Sequence, residues 1–584
     1  MMFNTDRLPR REIGELRSQR WYAPDTIRAF AHRQRTQQMG FGRDEFLGKP
    51  VIGIINTWSD MSACHAHLRE RAEAVKRGVW AAGGFPVELP ALSMGEVMVK
   101  PTTMLYRNFL AMETEELLRQ HPIDGVVLLG GCDKSTPGLL MGALSMDLPL
   151  IFCPAGPMTT GKWHGQTTGA GTHTKKYWDQ LRLGAITPHD WVELEGAMTR
   201  SIGTCNTMGT ASTMTSIADA MGFTLPGASS IPAADSRHPQ MAAQCGQTIV
   251  DMVWYDHKPS RWLTKNNFLN GIVAYMALGG STNAAIHLIA MANRAAIPLT
   301  LADMEAIARK VPVLANLFPS GKYLMDDFFF AGGLLAQLKK LAGFLHLDAR
   351  GVTNQPVSAW IEQAHCYDDD VIRDLHNPVI PLSQGCALAV LRGNLCPDGA
   401  VMKSSAASPQ LRKHTGPALV FDSHQALSDQ IDDPDLPVTK DTVIILRNAG
   451  PVGAPGMPEW GNLPIPKKLL REGVTDMVRI SDARMSGTHY GTCILHVAPE
   501  AAVGGPLALV RTGDRVTLDI EAGTLNMLVD DDEIARRRAA LIPQHPVFAR
   551  SWAALYQQHV TQANEGCDFD FLQSGGDVPE PPIF

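Results

Sequence analysis

A short apolar run that ends in Cys132-Asp133-Lys134 constrains this chain more than any other feature, within the stretch 124–138. Residues 126–129 are apolar and two glycines follow them, a pattern typical of a buried strand in a parallel sheet. The tripeptide follows at the carboxyl end of this predicted strand, the edge at which open α/β sheets bind ligands. A thiol, a carboxylate and an amine there indicate a binding site, but an ordinary turn that contains a cysteine fits equally well.

The segments before this stretch alternate between strand-like and helical patterns. The runs VIGIIN and FPVELPAL predict strands, and a helix is predicted from His67 to about Ala82. Cys64, Glu96 and Cys132 each follow a strand-like run. This alternation is typical of a βαβ layer whose loops share one edge. The sequence therefore predicts an N-terminal α/β domain with a mainly parallel sheet.

The pattern changes after residue 380. Short β-like runs such as ALVF and TVIILRN are separated by Gly, Pro and Asp, which is typical of a β-rich domain. A chain of 584 residues is also too long for one hydrophobic core. We therefore expect an α/β domain over 1–380 and a β-rich, barrel-like domain over 381–584.

Composition argues against several classes of function. The formal net charge is −7 and no basic run occurs, so nucleic-acid binding is not expected. No run reaches the roughly 18 apolar residues of a membrane span. The first 21 residues are charged throughout and lack the apolar core of a signal peptide. We expect a cytoplasmic protein that acts on a small molecule.

Three of the ten cysteines fall in positions that suggest a shared site. The ten are too few for a disulfide scaffold, and none forms a CxxC pair. Cys64, Cys132 and Cys205 lie at strand ends or at the start of a helix predicted over 205–221. Thiolates that converge from one sheet edge could hold an iron–sulfur cluster with one iron open to substrate. Three unrelated buried thiols are the alternative.

Carboxylates and one hydroxyl lie in comparable loops. Glu88, Glu96 and Asp133 are near these cysteines in the chain, and Mg²⁺ prefers oxygen ligands. In the second domain Glu459 is the only charge in the loop NAGPVGAPGMPEWG, and Ser486 follows a strand-like run in VRISDARMSG. Ser486 is not in the GxSxG turn of hydrolases. Taken singly, solvated carboxylates and a structural serine are the ordinary interpretations.

Two further features are open to two interpretations. His65 and His67 stand beside Cys64, but no further ligand spacing supports a zinc pair, so helix caps or supporting side chains are favoured. The Gly/Thr-rich segment 156–174 could approach a ligand closely. A plain surface connection is favoured there.

Five motifs in this order resemble the dihydroxy-acid dehydratase and phosphogluconate dehydratase family. They are WSDMSACHAH, LGGCDKSTPG, IGTCNTMGTASTM, GAPGMPEW and SDARMSG. The segments LRSQRWYAPDTIRAF and EGCDFDFL resemble the sugar-acid branch of that family, the pentonate dehydratases. The resemblance covers nearly the whole chain and implies a dehydratase.

The resemblance also implies two cofactors. Cys64, Cys132 and Cys205 match the ligands of an iron–sulfur cluster, which is expected to be [2Fe-2S] in the sugar-acid branch. Another set of residues matches Mg²⁺ ligands, namely Glu96, Asp133, Lys134 and Glu459. Lys134 would be carried as a carbamate. The match of Glu96 needs a one-residue shift relative to the dihydroxy-acid branch of the family, so Glu88 stays open as the alternative.

The implied reaction removes water from a 2,3-dihydroxy carboxylate and gives a 2-keto-3-deoxy acid. Mg²⁺ would hold the carboxylate and the 2-hydroxyl, Ser486 would remove the C2 proton, and the open iron would help the 3-hydroxyl leave. An unphosphorylated aldonate such as L-arabinonate or D-xylonate is the expected substrate. The alternatives are a dihydroxy-acid dehydratase of branched-chain amino-acid synthesis, a non-catalytic iron–sulfur sensor and a metal hydrolase.

Two neighbours of Ser486 depart from the family pattern. Met485 stands where dihydroxy-acid dehydratases usually have Phe, and His489 stands where a small residue is expected. Both departures bear on the identity of the substrate more than on the type of reaction. The family further implies a homodimer or homotetramer.

Overall fold

The first domain is built on a four-stranded parallel sheet. The computed structural model describes residues 3–6, 8–542, 547–573 and 579–583. The strands are β1 (Val51–Asn56), β2 (Phe85–Pro90), β3 (Gly125–Gly130) and β4 (Leu150–Pro154), in the order β2-β1-β3-β4. Every residue of β1, β3 and β4 is buried, as continuous apolar runs in parallel sheets require. The predicted α/β domain is confirmed.

The rest of the first domain is largely helical. Its helices are α1 (Gln19–Tyr22), α2 (Ile27–Gln38), α3 (Arg43–Phe46), α4 (Leu68–Ala81), α5 (Met104–Gln120), α6 (Ser135–Met146), α7 (Thr172–Arg182), α8 (Pro188–Met198), α9 (Thr210–Met221), α10 (Arg237–Trp254), α11 (Pro259–Trp262), α12 (Lys265–Leu278), α13 (Asn283–Arg294), α14 (Leu301–Ala308), α15 (Met325–Phe330), α16 (Gly333–Lys340) and α17 (Val357–Ile361). A small hairpin, β5 (Gly161–Trp163) and β6 (Gln166–Thr168), lies within the Gly/Thr-rich segment. Across the described ranges, no helix has the length and apolar character needed to cross a membrane.

The second domain is one eight-stranded sheet that almost closes into a barrel. Its strands are β7 (Ala389–Leu391), β8 (Gly399–Met402), β9 (Lys413–Phe421), β10 (Val443–Leu446), β11 (Arg479–Ser481), β12 (Cys493–Ala498), β13 (Arg515–Asp519) and β14 (Thr524–Met527). The order is β14-β13-β9-β10-β11-β12-β8-β7. A bridge between Arg392 and Thr524 links the two outermost strands. The predicted barrel-like domain is confirmed.

The middle of this sheet differs from an ordinary antiparallel barrel. Strands β9, β10, β11 and β12 run parallel to one another, whereas the outer pairs are antiparallel. Parallel neighbours send their following loops to the same edge of a sheet. The loops after β10 and β11 carry Glu459 and Ser486, so the topology brings these two residues to one edge. Four further helices complete the domain: α18 (His424–Gln430), α19 (Lys467–Arg471), α20 (Asp531–Ala540) and α21 (Ser551–His559).

The C-terminal segment leaves the barrel and packs against the first domain. Buried Arg107 donates hydrogen bonds to the backbone carbonyls of Gly566 at 2.9 Å and Cys567 at 2.8 Å. Buried Arg294 forms an ion pair with Asp568, with 2.7 Å between Nε and Oδ2. Residues near the end of the chain therefore complete the interior of the domain that begins it.

The helix predicted over 205–221 is shorter than expected, because α9 begins at Thr210. Gly203 adopts a left-handed φ of 121°, and Thr204 forms a β-bridge with Pro157. These two features keep the backbone out of the helix around Cys205. The prediction that Cys205 starts a helix is therefore wrong, and it lies in the preceding loop.

Helices α4 and α10 approach each other closely at two glycines. A Cβ atom on Gly246 would lie 2.2 Å from the carbonyl oxygen of Val75, and one on Gly78 would lie 1.9 Å from that of Ala243. Both obstacles are backbone atoms, which cannot move aside as the end of a side chain can. The contact therefore requires glycine on both helices.

The variant Gly246→Ala should lower the free energy of unfolding by about 1–3 kcal/mol, the usual effect of overpacking a close contact. Gly196→Ala is the matched control, because Gly196 lies in α8 with no atom within 4 Å of an added Cβ. Alanine at 196 should be neutral or stabilise by up to about 1 kcal/mol. Urea and thermal unfolding measure both variants, and equal midpoints would contradict the close contact.

Candidate active site

A buried lysine collects carboxylates from both domains. Lys134 lies in the short loop between β3 and α6, immediately before the helix, and its side chain is fully buried. Its Nζ atom lies 3.0 Å from Glu96 Oε2, 3.2 Å from Glu459 Oε1 and 3.4 Å from Asp133 Oδ2. The four residues that the resemblance matched to Mg²⁺ ligands therefore lie together in space.

The charges of this cluster shift one another's pKa values. Burial raises the pKa of Glu96 and of Asp133, although the Lys134 charge opposes the rise. Burial opposes ionisation of Glu459 too, but the Lys134 and Arg484 cations outweigh it and lower the pKa of Glu459 to about 2. Burial likewise acts against the Lys134 ammonium, yet the surrounding carboxylates raise its pKa. Three carboxylates in one buried site are suitable oxygen ligands for a hard divalent cation.

Two side chains that the sequence patterns did not single out hold Glu459 in place. Asn283 donates to Glu459 Oε1 at 2.6 Å, and Arg484 donates to the same oxygen at 3.0 Å. Arg484 is fully buried and also donates to the carbonyl of Met457 at 2.8 Å and to the hydroxyl of Thr102 at 3.1 Å. The only sequence signals are indirect: Arg484 lies within SDARMSG, and Asn283 follows the turn GGST.

The structure separates Glu96 from its alternative Glu88. Glu96 lies in the loop after β2 and accepts a short hydrogen bond from the Thr103 hydroxyl in addition to its contact with Lys134. Glu88 lies within β2, where its carboxylate accepts from Asn56 at 2.8 Å and pairs with Lys76 at 2.6 Å. Glu96 is therefore the carboxylate that joins the cluster.

The three cysteines of interest lie beside one another. A hydrogen bond with the Cys132 thiol, together with burial, raises the pKa of Cys64 well above its ordinary value. Burial, with the nearby charges of Asp133 and Cys132, raises the pKa of Cys205 to about 12. Buried, adjacent thiols ionise readily only when a metal compensates their charge. Thiolate sulfurs are the donor type that a soft metal centre prefers, so this donor set is chemically suited to one.

His65 supports the backbone of the Cys132 loop. The Cys132 amide donates to His65 Nε2 at 3.2 Å, so Nδ1 carries the ring hydrogen and donates to the Ser93 hydroxyl at 3.2 Å. Burial lowers the pKa of His65 to about 3, which keeps the ring neutral. His67 donates through Nε2 to the carbonyl of Ala155 at 2.7 Å. Both contacts are the supporting roles that the sequence favoured for these histidines.

A cleft of about 930 Å³ opens onto part of this cluster. Residues of both domains line it, including Glu96, Asp133, Cys205, Glu459 and Ser486. The Ser486 hydroxyl lies 3.0 Å from that of Thr488. Of the two residues that depart from the family pattern, His489 lines the cleft, whereas Met485 is buried in the hydrophobic core.

The Gly/Thr-rich segment reaches this cleft through its last residues. Ala170 and Gly171 line the cleft, and a Cβ on Gly171 would lie 2.7 Å from the Thr488 side chain. The interpretation of 156–174 as a plain surface connection is therefore wrong for its C-terminal end. Composition alone could not reveal this, because the approach depends on a loop of the other domain.

Comparison with known proteins identifies the family. Residues 49–360 match the dihydroxy-acid/6-phosphogluconate dehydratase N-terminal domain, and residues 370–567 match the C-terminal domain. The chain belongs to this family. The resemblance drawn from the five motifs is confirmed, and the protein is an enzyme of the hydro-lyase class.

Three relatives indicate the branch of the family. The chain is 74% identical to a 6-deoxy-6-sulfo-D-gluconate dehydratase of Pseudomonas putida over 98% of this chain and 99% of the relative. It is 49% identical to an L-arabinonate dehydratase of Rhizobium leguminosarum bv. trifolii over 96% of each chain. It is 37% identical to a D-xylonate dehydratase of Caulobacter vibrioides over 97% of this chain and 96% of the relative.

The position of Glu96 generates a direct test. Glu96→Gln should lower kcat/KM for dehydration by about 100-fold or more, because an amide neither balances Lys134 nor binds a cation well. Glu88→Gln removes only a partly exposed pair with Lys76 and should change kcat/KM less than about threefold. Steady-state kinetics on the best substrate compare the two variants. The reverse ranking would contradict the assignment.

Proposed function

We propose that this dehydratase acts on a six-carbon sugar acid that carries a second anionic group, with 6-deoxy-6-sulfo-D-gluconate as the first candidate. The observation that carries the proposal is the 74% identity, over almost the full length of both chains, to a relative of that name. The expected pentonates, L-arabinonate and D-xylonate, are second candidates because the relatives with those names are more distant, at 49% and 37% identity.

The proposal includes a magnesium ion and an iron–sulfur cluster. Glu96, Asp133, Lys134 and Glu459 would hold Mg²⁺, and the three carboxylates that surround Lys134 Nζ and line the cleft support this. Cys64, Cys132 and Cys205 would hold a [2Fe-2S] cluster, supported by their adjacent thiols. When bound, the two groups would supply Lewis acidity toward the substrate oxygens.

Lys134 is proposed to enter the site as a carbamate. Its ammonium would first lose one proton. The neutral amine would then attack CO₂, so that an N–C bond forms, one C–O π bond breaks and a second proton is released, and a cationic side chain becomes an anionic oxygen ligand. The location of Nζ among Glu96, Asp133 and Glu459 supports this, because a ligand at that point would complete the ring of oxygens.

Ser486 is the proposed base. Its alkoxide oxygen would accept the proton from C2, a C2–C3 double bond would form, and the C3–O bond would break. The departing hydroxide would take up that proton from the serine hydroxyl and leave as water. The resulting enol would tautomerise to the 2-keto acid. An alcohol is a weak base, so this role requires a neighbourhood that lowers its pKa. The location of Ser486 in the cleft with Glu459 and Asp133 supports the role.

The substrate proposal is tested by an anaerobic panel of 6-deoxy-6-sulfo-D-gluconate, D-gluconate, L-arabinonate, D-xylonate and 2,3-dihydroxyisovalerate, with detection of the 2-keto products. The kcat/KM for the sulfonate should exceed that for D-gluconate by about tenfold or more, since gluconate has a hydroxyl where the sulfonate charge lies. D-Gluconate is the matched control. Preference for a pentonate would replace the first candidate with the second, and turnover of the dihydroxyisovalerate alone would refute both.

The role of Ser486 has its own test. Ser486→Ala should lower kcat by about 100-fold or more, as expected for loss of a general base, while the visible absorbance of the purified protein stays unchanged. Ser423→Ala is the control, because Ser423 caps α18 and lies outside the residues that line the cleft. It should lower stability slightly and leave kcat unaltered. A Ser486→Ala enzyme with wild-type kcat would exclude the serine as base.

A further inference from the structure

Two buried carboxylates lie in the loops that follow β11 and β12 of the barrel domain. Asp482 is 0% exposed and Glu500 is 1% exposed. Asp482 follows β11 directly, at the start of the loop that carries Ser486, and Glu500 follows β12. Neither residue lines the cleft. A buried carboxylate is retained only where its oxygens have partners, so these partners show what the pair does.

Asp482 joins three segments through backbone amides. Its Oδ1 atom accepts from the Ala449 amide at 2.9 Å. Its Oδ2 atom accepts from the amides of Asn448 at 3.2 Å and Ala501 at 3.0 Å. One side chain therefore connects the loops that follow β10, β11 and β12.

Glu500 holds the same β10 loop slightly further along. The Gly453 amide donates to Oε2 at 2.9 Å, and the Val452 amide donates to Oε1 at 2.9 Å. The Gln562 side chain donates to Oε1 at 2.9 Å and accepts from the Glu500 amide at 2.9 Å. A Cβ on Gly450 would lie 2.5 Å from Oε2, so the loop approaches this carboxylate as closely as glycine allows.

The loop held in this way is the one that presents Glu459. Residues 448–453 are rich in Gly and Pro and belong to no helix or strand, so they have no ladder of backbone hydrogen bonds to fix them. Asp482 and Glu500 supply the missing acceptors. Because Asp482 also begins the Ser486 loop, the same contacts set the position of Glu459 relative to Ser486.

The chemistry of the pair argues against simple space filling. Burial raises the pKa of Asp482 to about 6, and burial with the Asp482 charge raises that of Glu500 to about 7. Two carboxyl groups are thus kept close together although the interior disfavours the charged form of each. An amide side chain would turn an NH₂ group toward one of the backbone N–H donors. Only a carboxylate accepts through both of its oxygens.

We propose that Asp482 and Glu500 are positioning residues that fix the Glu459 loop against the Ser486 loop without touching the substrate. They act through backbone amides, so their contribution is to geometry and not to the reaction itself. The roles of Glu459 and Ser486 rest on the proposed function. The contacts of the two carboxylates do not depend on that function, and they can be tested without any substrate.

The test compares Asp482→Asn and Glu500→Gln with a matched control, Asp219→Asn. Asp219 is 1% exposed, and its partners are the amides of Gly227 and Ser229 and the Ser229 hydroxyl. It is equally buried and also holds a turn, but that turn carries no residue that lines the cleft. All three variants should lose thermal stability, so the stability loss alone does not distinguish the roles.

Two readouts separate positioning from stability. Hydrogen exchange followed by mass spectrometry should show faster exchange over 448–453 in the Asp482 and Glu500 variants and wild-type exchange there in the control. The kcat per folded molecule should fall about 10–100-fold in the first two variants, with a higher Mg²⁺ concentration needed for half-maximal rate, and should be unchanged in the control. Wild-type exchange and kcat in both variants would overturn the proposal.

Two further measurements cover the case in which the variants do not fold. In the wild-type protein, slow exchange of the Ala449, Val452 and Gly453 amides supports the proposal, and fast exchange of all three overturns it. Gln562→Ala removes one partner of Glu500 and leaves both carboxylates in place. It should accelerate exchange at 452–453 more than at 448–449. If the wild-type protein dehydrates no sugar acid while residues 448–453 exchange slowly, the proposed function is refuted and the positioning role of the two carboxylates is not.

Discussion

In its unmodified form, Lys134 links the two domains of this enzyme through its ammonium group. Its side chain is fully buried, and its charge is balanced by Glu96 and Asp133 from the α/β domain and by Glu459 from the barrel domain. A charge in the protein interior is tolerated only when it is paired and hydrogen-bonded. Because one partner comes from the barrel, the docking of the domains and the assembly of the site are one event.

In both domains, the candidate site residues lie on loops that follow neighbouring parallel strands. In the first domain the loops after β1, β2 and β3 carry Cys64, Glu96 and Cys132, and in the second the loops after β10 and β11 carry Glu459 and Ser486. Each set follows neighbouring parallel strands, whose loops leave a common edge. The parallel centre of the otherwise antiparallel barrel therefore brings Glu459 and Ser486 to one edge of the sheet.

Local patterns predicted the fold well because its elements have strong local signals. Strand β3 is a continuous apolar run, and its position ahead of Cys132 was clear from the sequence. The start of α9 was not clear from the sequence, because the bridge between Thr204 and Pro157 overrides the local helical preference around Cys205. Pairing across distant parts of the chain is invisible to a local pattern.

The same limit applies to the site. The choice between Glu96 and Glu88 stayed open in the sequence because the match of Glu96 needed a one-residue shift, and only the contacts of the two side chains separate them. Asn283 contacts Glu459 across 176 positions of sequence, and no spacing rule connects them. The candidate ligands were found through motifs, whereas the residues that hold their side chains in place needed coordinates.

The contacts of the C-terminal segment affect the order in which the chain can mature on the ribosome. Arg107 and Arg294 lie in the interior of the first domain, yet partners of theirs at 566–568 lie 460 and 274 positions later in the chain. Domains generally fold as they emerge, from the N-terminus onward. Here two buried guanidinium groups lack part of their partners until residues 566–568 have been made, so the first domain to be made is not the first to be finished.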